Sequence, residues 1–285
     1  MMSFKKHKIV RKTIVYIGLV LLCSFVLIPF FWMISSSFKP RAEIFTYPPV
    51  WIPRQPTFDA FINLIREKPY GGFGFGKFLS NTMIVSFFTA VITVILASFA
   101  SYSLSRFRFR GNSSLRYMII FSQLLPGSLI LIPLYLLMRD LKLIDNLMGL
   151  VFAYTSLTLP YCTYLLKGYF DSIPIGIDEA AKVDGCSPVG ALFHVVFPLA
   201  APGIVVTFTQ ALILSWNEFM FALTFLNSYE NWTVPLALGS SRGQYLIDWG
   251  YLFAGSVLIT IPIVIIFLLL QKYIVQGLVS GAVKG

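Results

Sequence analysis

Six stretches of at least 20 residues, 13–37, 78–105, 117–138, 147–166, 202–226 and 251–271, contain between them a single Asp, Glu, Lys or Arg, and that residue is Glu218. A helix needs about 20 apolar residues to cross a hydrocarbon layer of about 30 Å, so each stretch is long enough to span a bilayer. Composition points the same way. Of the 285 residues 57% are hydrophobic and 12% are charged, which is more apolar surface than one water-soluble core can hide. The expectation is an all-α integral membrane protein with six transmembrane helices and a lipid bilayer around much of its surface.

Six crossings put both ends of the chain on one side, and the basic residues sort the two sides. With the N-terminus inside, 13 of the 22 Lys and Arg fall on the inner face and 9 on the outer. Because Lys and Arg accumulate on the cytoplasmic flanks of short loops, both termini are expected in the cytoplasm. The resulting plan is a basic tail at 1–12, a first helix at 13–37, an extracytoplasmic loop at 38–77, a core of five helices over 78–271, and a tail at 272–285. The core includes a cytoplasmic segment at 168–199. The net charge of +10 is then a matter of topology, and no nucleic-acid partner is expected. The first apolar run is well over the 7 to 15 residues of a secretory signal, so it is expected to stay as an anchor. Six prolines and Trp51 make the 38–77 loop an ordered cap with little regular structure.

Residues 71–77, Gly-Gly-Phe-Gly-Phe-Gly-Lys, satisfy the opening of a phosphate-binding P-loop, but the next residue is Phe78 where a magnesium-holding Ser or Thr is required. Cys23, Cys162 and Cys186 lack metal-ligand spacing. No paired-carboxylate or Ser/His/Asp constellation stands out, so the chain is expected to be non-catalytic, with no cofactor or metal of its own.

The most informative segment is 168–199. Pro174 stops the preceding helix, Asp178 and Glu179 suit the start of a new one, and Ala180, Ala181 and Lys182 propagate it. Gly185 is placed to end it in a left-handed turn, and Ser187-Pro188 to open the next. Two short helices joined by a sharp elbow result. Ile175, Val183, Phe193 and Val196 are expected to make its apolar contacts.

Glu179-Ala180-Ala181, then Gly185, then Val195-Val196-Phe197-Pro198 resemble the EAA loop of membrane subunits of ATP-binding-cassette importers, EAA-x3-G-x9-I-x-L-P. Ser172-Ile173-Pro174, Asp184, Ser80-Asn81-Thr82, Trp216-Asn217-Glu218-Phe219 and the terminal residues 281–285 extend the resemblance to the carbohydrate-importer branch, in particular its maltose-system second-permease type. The resemblance implies an ABC importer type I transmembrane domain in a bacterial cytoplasmic membrane. It also implies a homologous second permease subunit, two ATPase subunits carrying ATP and magnesium, and an extracytoplasmic solute-binding protein for a sugar or polyol. In such systems the EAA elbow docks on the ATPase, which assigns Asp178, Glu179, Ala180, Ala181, Asp184 and Gly185 to that contact.

An ionisable residue within a membrane span costs a few kcal/mol unless it faces protein or water, so Glu218 needs a partner. Three roles stand open for it: a gate or cavity group, a buried hydrogen bond between helices, and a proton relay. Asn81, Trp216, Asn217, Glu218 and Phe219 are the candidates for the translocation pathway or its gate. Use of Glu218 by a self-contained ion-coupled secondary transporter is the rival function, although no second intramembrane carboxylate or His accompanies it.

Overall fold

The computed structural model describes residues 2–67, 71–240 and 248–282, with side chains described over 11–67, 71–240 and 248–273. The regular elements among them are helical. They are α1 (Met2–Ser37), α2 (Arg41–Ile44), α3 (Asp59–Arg66), α4 (Phe75–Arg106), α5 (Asn112–Ser122), α6 (Gly127–Asp140), α7 (Leu147–Ser172) and α8 (Ile175–Val183). After these come α9 (Pro188–Ala191), a π-helical turn (Leu192–Val196), α10 (Phe197–Leu199), α11 (Ala201–Trp216), α12 (Met220–Phe225), a 3-10 turn (Tyr229–Asn231), α13 (Val234–Ser240) and α14 (Trp249–Ala282). The chain forms two compact units, one of residues 1–67 with 240–260 and one of residues 68–239 with 261–285.

In the first unit, α1 presents an almost uninterrupted apolar surface from Ile14 to Phe31, as a helix bathed in lipid or covered by another subunit must. The loop after it is more regular than its proline content suggests, because α2 and α3 form within it. It is pinned by aromatic contacts: Trp32 meets Trp51 edge-on at 5.1 Å, and Phe38 meets Phe58 and Phe61. Lys39 is 2% exposed, with its ammonium 3.8 Å from the centre of the Trp32 ring. Arg41 pairs with Asp248, whose carboxylate also accepts the Tyr251 amide at the start of α14.

In the second unit α4, α7 and α11 pack together through small and hydroxylated residues: Ala90, Ala97 and Ser101 of α4, Ala153 and Thr158 of α7, and Gly203 and Thr207 of α11 are buried. Lipid tails are as apolar as leucine, so helices in a membrane gain most from close approach and from hydrogen bonds. Both are present. A Cβ on Gly203 would lie 2.3 Å from the Tyr169 ring, Thr93 and Thr158 share a hydrogen bond of 2.9 Å, and Ser101 donates to the Thr163 carbonyl at 2.8 Å. Phe221, Phe225, Tyr154, Leu150 and Leu236 form a second apolar cluster with Leu134 and Met138 of α6.

The six expected crossings do not all appear as single straight helices. Among the described residues three helices, within α1, α4 and α14, are long and apolar enough to cross a membrane, or up to five segments if each of two bent pairs is one span. The expected crossing at 117–138 is broken into α5 and α6, which meet at 102° across Gln123–Pro126. Pro126 removes a donor and turns the preceding residue from helical geometry. The expected crossing at 147–166 lies within α7, a 26-residue helix that buries Thr155, Thr158 and Thr163. That at 202–226 ends as a continuous helix at Trp216. In the glycine-rich stretch, Gly76 and Lys77 lie inside the first turn of α4, which is not the geometry of a phosphate-cradling loop.

Candidate functional site

The elbow forms as its turn residues dictate. Pro174 precedes α8, and the helix ends with Gly185 at φ +88°, where a side chain is strained. The Cys186 amide donates to the Ala181 carbonyl at 2.9 Å and the Gly185 amide to the Lys182 carbonyl at 3.1 Å, the paired bonds of a Schellman cap. Ser187 Oγ then accepts the Gly190 amide at 3.1 Å, with Pro188 in the first position of α9. The helix begins three residues earlier than Asp178 suggests. Asp178 is therefore spent elsewhere: Arg106 Nε meets its carboxylate at 2.8 Å and Tyr102 Oη donates to it at 3.0 Å.

This pair is deeply buried, with 3% of the Arg106 side chain and 2% of the Asp178 side chain exposed. Arg106 Nη2 also donates to the Ile173 carbonyl at 3.0 Å. Nearby, Asp171 accepts from Ser105 at 2.6 Å and from Lys167 at 2.5 Å. The ends of α4 and α7 and the start of α8 are thus tied at one point. Neither Arg106 nor Tyr102 is among the residues that the sequence singles out.

The six candidate docking residues divide between two sides of the elbow. Asp178 and Ala181 are buried against the unit, whereas Glu179, Ala180, Asp184 and Gly185 face outward. Of the four residues expected to make the elbow's apolar contacts, Val183 and Ile175 are 87% and 54% exposed, Phe193 is exposed but meets the Phe99 and Phe197 rings, and Val196 is buried. The outward side is therefore small, acidic at two positions, and apolar at Val183.

Glu218 sits in the break between α11 and α12. Its carboxylate accepts Tyr154 Oη at 2.7 Å, the Phe221 amide at 3.0 Å and the Ala222 amide at 3.2 Å. It satisfies amide groups freed at the start of α12 and joins that helix to α7, as a hydrogen bond between helices would. The same carboxylate borders a cavity of about 410 Å³, with Gln123, Tyr154, Thr158, Tyr161 and Gln210 among the lining residues. Of the other pathway candidates, Asn81 is 1% exposed and donates to the Glu230 and Trp232 carbonyls at 2.7 and 2.9 Å, so it clamps a loop. Trp216 is buried, Asn217 turns its amide back to the Ile213 carbonyl at 2.9 Å, and Phe219 lies against Gly239. The structure does not bring these four to the cavity with Glu218.

Asp145, which sequence reasoning passed over, ties two loops together. Its carboxylate accepts the Asn227 and Ser228 amides at 3.0 and 2.9 Å and the Ser228 hydroxyl, and its carbonyl accepts Asn231 Nδ2 at 2.7 Å. Desolvation alone would raise this carboxyl, but the hydrogen bonds from Ser228, Asn231 and Asn227 together outweigh it and hold the group below the ordinary carboxylate value.

Comparison with known proteins agrees with this architecture. The chain is 33% identical over 272 residues to the inner membrane ABC transporter permease protein YcjP of Escherichia coli (strain K12), covering 95% of each chain. It is 32% identical over 281 residues to the trehalose/maltose transport system permease protein MalG of Thermococcus litoralis, covering 98% of this chain and 99% of that one. A solved chain of a bacterial ABC transporter involved in the import of the acidic polysaccharide alginate shares the fold, with a TM-score of 0.79 at 24% identity, over 93% of this chain and 96% of that one. Residues 91–280 match a family whose span takes in the elbow, α7 and the broken α11–α12 helix, and the chain belongs to that family, the binding-protein-dependent transport system inner membrane components.

Proposed function

We infer that this permease subunit forms half of the translocation path of an ATP-driven importer for a sugar or sugar-like solute. A homologous second permease subunit supplies the other half, and an extracytoplasmic binding protein delivers the solute. ATP and magnesium belong to two ATPase subunits that dock on the elbow through Glu179, Ala180, Asp184 and Gly185, with Asp178 and Ala181 as its inward anchors. The elbow then lies in the cytoplasm with both termini, and the 38–77 loop lies outside, in keeping with the distribution of Lys and Arg.

The observation that carries this reading is the split of α8 into two sides. Asp178 is locked to Arg106 and Tyr102 on one, while Glu179, Ala180 and Val183 stand free of the unit on the other. A helix that exposes alanine and valine, yet is fixed at its base by a buried ion pair, suits a part that must be gripped and must pass force inward. The carbohydrate assignment rests on the likeness to the trehalose/maltose permease. Purification with the products of neighbouring genes, followed by a screen for saccharides that stimulate ATP hydrolysis through the binding protein, tests it. Stimulation by amino acids or peptides in place of any saccharide would overturn the solute class.

A further inference from the structure

Two cavities open along a single stripe of α7. The first, already described, touches Tyr154, Leu157, Thr158 and Tyr161 of that helix. The second, of about 600 Å³, touches Tyr161, Tyr164, Leu165, Lys167, Gly168 and Asp171. These positions recur every three or four residues, so they line one side of the helix. From Tyr154 to Asp171 the stripe runs roughly 26 Å at 1.5 Å per residue, close to the ~30 Å depth of a hydrocarbon layer. Tyr161 borders both cavities and stands between them.

The chemistry of the lining separates groups already engaged from groups left free. In the first cavity the Glu218 carboxylate is occupied by Tyr154 and two amides. In the second, Lys167 is paired with Asp171, and Arg116 at the exposed mouth donates to Ser113. By contrast, the carboxamides of Gln123 and Gln210 and the hydroxyls of Tyr161 and Tyr164 have no hydrogen-bond partner among the described residues. Amides and hydroxyls each donate and accept, and tyrosine adds a flat apolar face. That combination suits an uncharged polyhydroxylated solute better than an ion, and both volumes lie in the range of small-molecule sites.

We propose that this stripe of α7 is this subunit's wall of a two-chamber solute route, with free neutral groups for a saccharide and the Tyr161 ring as the partition between chambers. The proposal rests on the import reading above and adds to it that this subunit touches the solute and that the partition is a single side chain.

The test uses the whole importer in proteoliposomes, with the three native cysteines replaced and single reporters Leu157→Cys or Leu165→Cys. A charged methanethiosulfonate added from one face should label only the reporter in the chamber open to that face. Tyr161→Ala should abolish this sidedness, and Tyr161→Phe, which keeps the ring, should preserve it. The neutral saccharide that stimulates ATP hydrolysis should slow labelling at both reporters. Labelling of both reporters from one face in the otherwise native protein would overturn the partition, even if Tyr161→Ala failed to assemble. Unchanged sidedness in a well-assembled Tyr161→Ala would do the same. Protection by a uronic acid but by no neutral sugar would overturn the ligand class. Labelling requires neither ATPase docking nor transport, so failure here leaves the import reading intact, whereas loss of saccharide-stimulated ATP hydrolysis in the parent complex would count against that reading instead.

Discussion

Arg106 at the last turn of α4 and Asp178 in α8 meet at 2.8 Å in a pocket that leaves 3% and 2% of their side chains exposed. A buried ion pair of this kind contributes little net stability relative to an apolar pair, but breaking it by removing one partner leaves an uncompensated charge. Asp178→Ala is therefore expected to destabilise the subunit by about 3 to 5 kcal/mol, read as lost yield and a lower Tm in detergent. The double variant Arg106→Leu with Asp178→Leu should recover most of that loss. A double variant as unstable as the single one would show that the charges themselves are needed.

Glu218 satisfies three donors at once, which predicts a graded response. Glu218→Gln keeps one carbonyl oxygen and should reduce transport modestly. Glu218→Leu leaves Tyr154 Oη and the Phe221 and Ala222 amides without their acceptor, at about 1 to 3 kcal/mol for each buried group, and should impair assembly. Abolished transport in a fully assembled Gln variant would instead require the negative charge and revive the proton-relay role.

Glycine spacing separates tight from open contacts. A Cβ at Gly149 would lie 2.0 Å from the Leu143 carbonyl oxygen and one at Gly203 would strike the Tyr169 ring, whereas Gly168 has nothing within 4 Å. Gly149→Ala and Gly203→Ala should each cost about 1 to 3 kcal/mol through overpacking. Gly168→Ala, in the same membrane helix as Tyr169, should be neutral or stabilising by about 0.5 to 1 kcal/mol. Thermal melts of the three variants side by side check the ordering.

The loop clamp at Asp145 should be acid-sensitive. A carboxyl whose value is lowered in the fold contributes stability above the ordinary unfolded value of about 4, and that contribution is lost as pH falls through the folded value. Asp145→Ala should remove it at neutral pH. Hydrogen exchange of the 226–231 segment should be faster in the variant at pH 7, and the difference from the parent should shrink in acid below pH about 4. Equal exchange at neutral pH would mean that backbone contacts alone hold the loop.

Features governed by neighbours in sequence were legible in the chain alone. Gly185 and Ser187-Pro188 declare a helix stop and start by local turn chemistry, and both occur with the bonds expected of them. Long uncharged runs likewise gave α1, α4 and α14. The break after Trp216 was not legible, because Asn217-Glu218-Phe219 contains no Pro or Gly, and the carboxylate that caps α12 looks from the sequence like a stray charge in a span. Nor does any local pattern link Tyr102 to Asp178 across 76 residues. Such pairs exist only once helices have packed, so the sequence alone does not join Arg106 to Asp178. Of the terminal 281–285 motif, residues 283–285 lie outside the described residues.

The central claim, that the outward side of α8 is the ATPase dock, is tested most directly by copurification of the ATPase subunits with Ala180→Asp and Gly185→Val. The first adds a charge to the exposed side. The second forces a β-branched residue into a left-handed turn at a cost of order 1 to 2 kcal/mol, which re-aims the elbow. Both variants should insert and remain as stable as the parent to within that cost, yet lose the ATPase subunits or hydrolyse ATP without solute uptake. Lys182→Ala and Arg108→Ala, at exposed positions, should behave as the parent. Full ATPase recovery with normal uptake in both elbow variants would contradict the account.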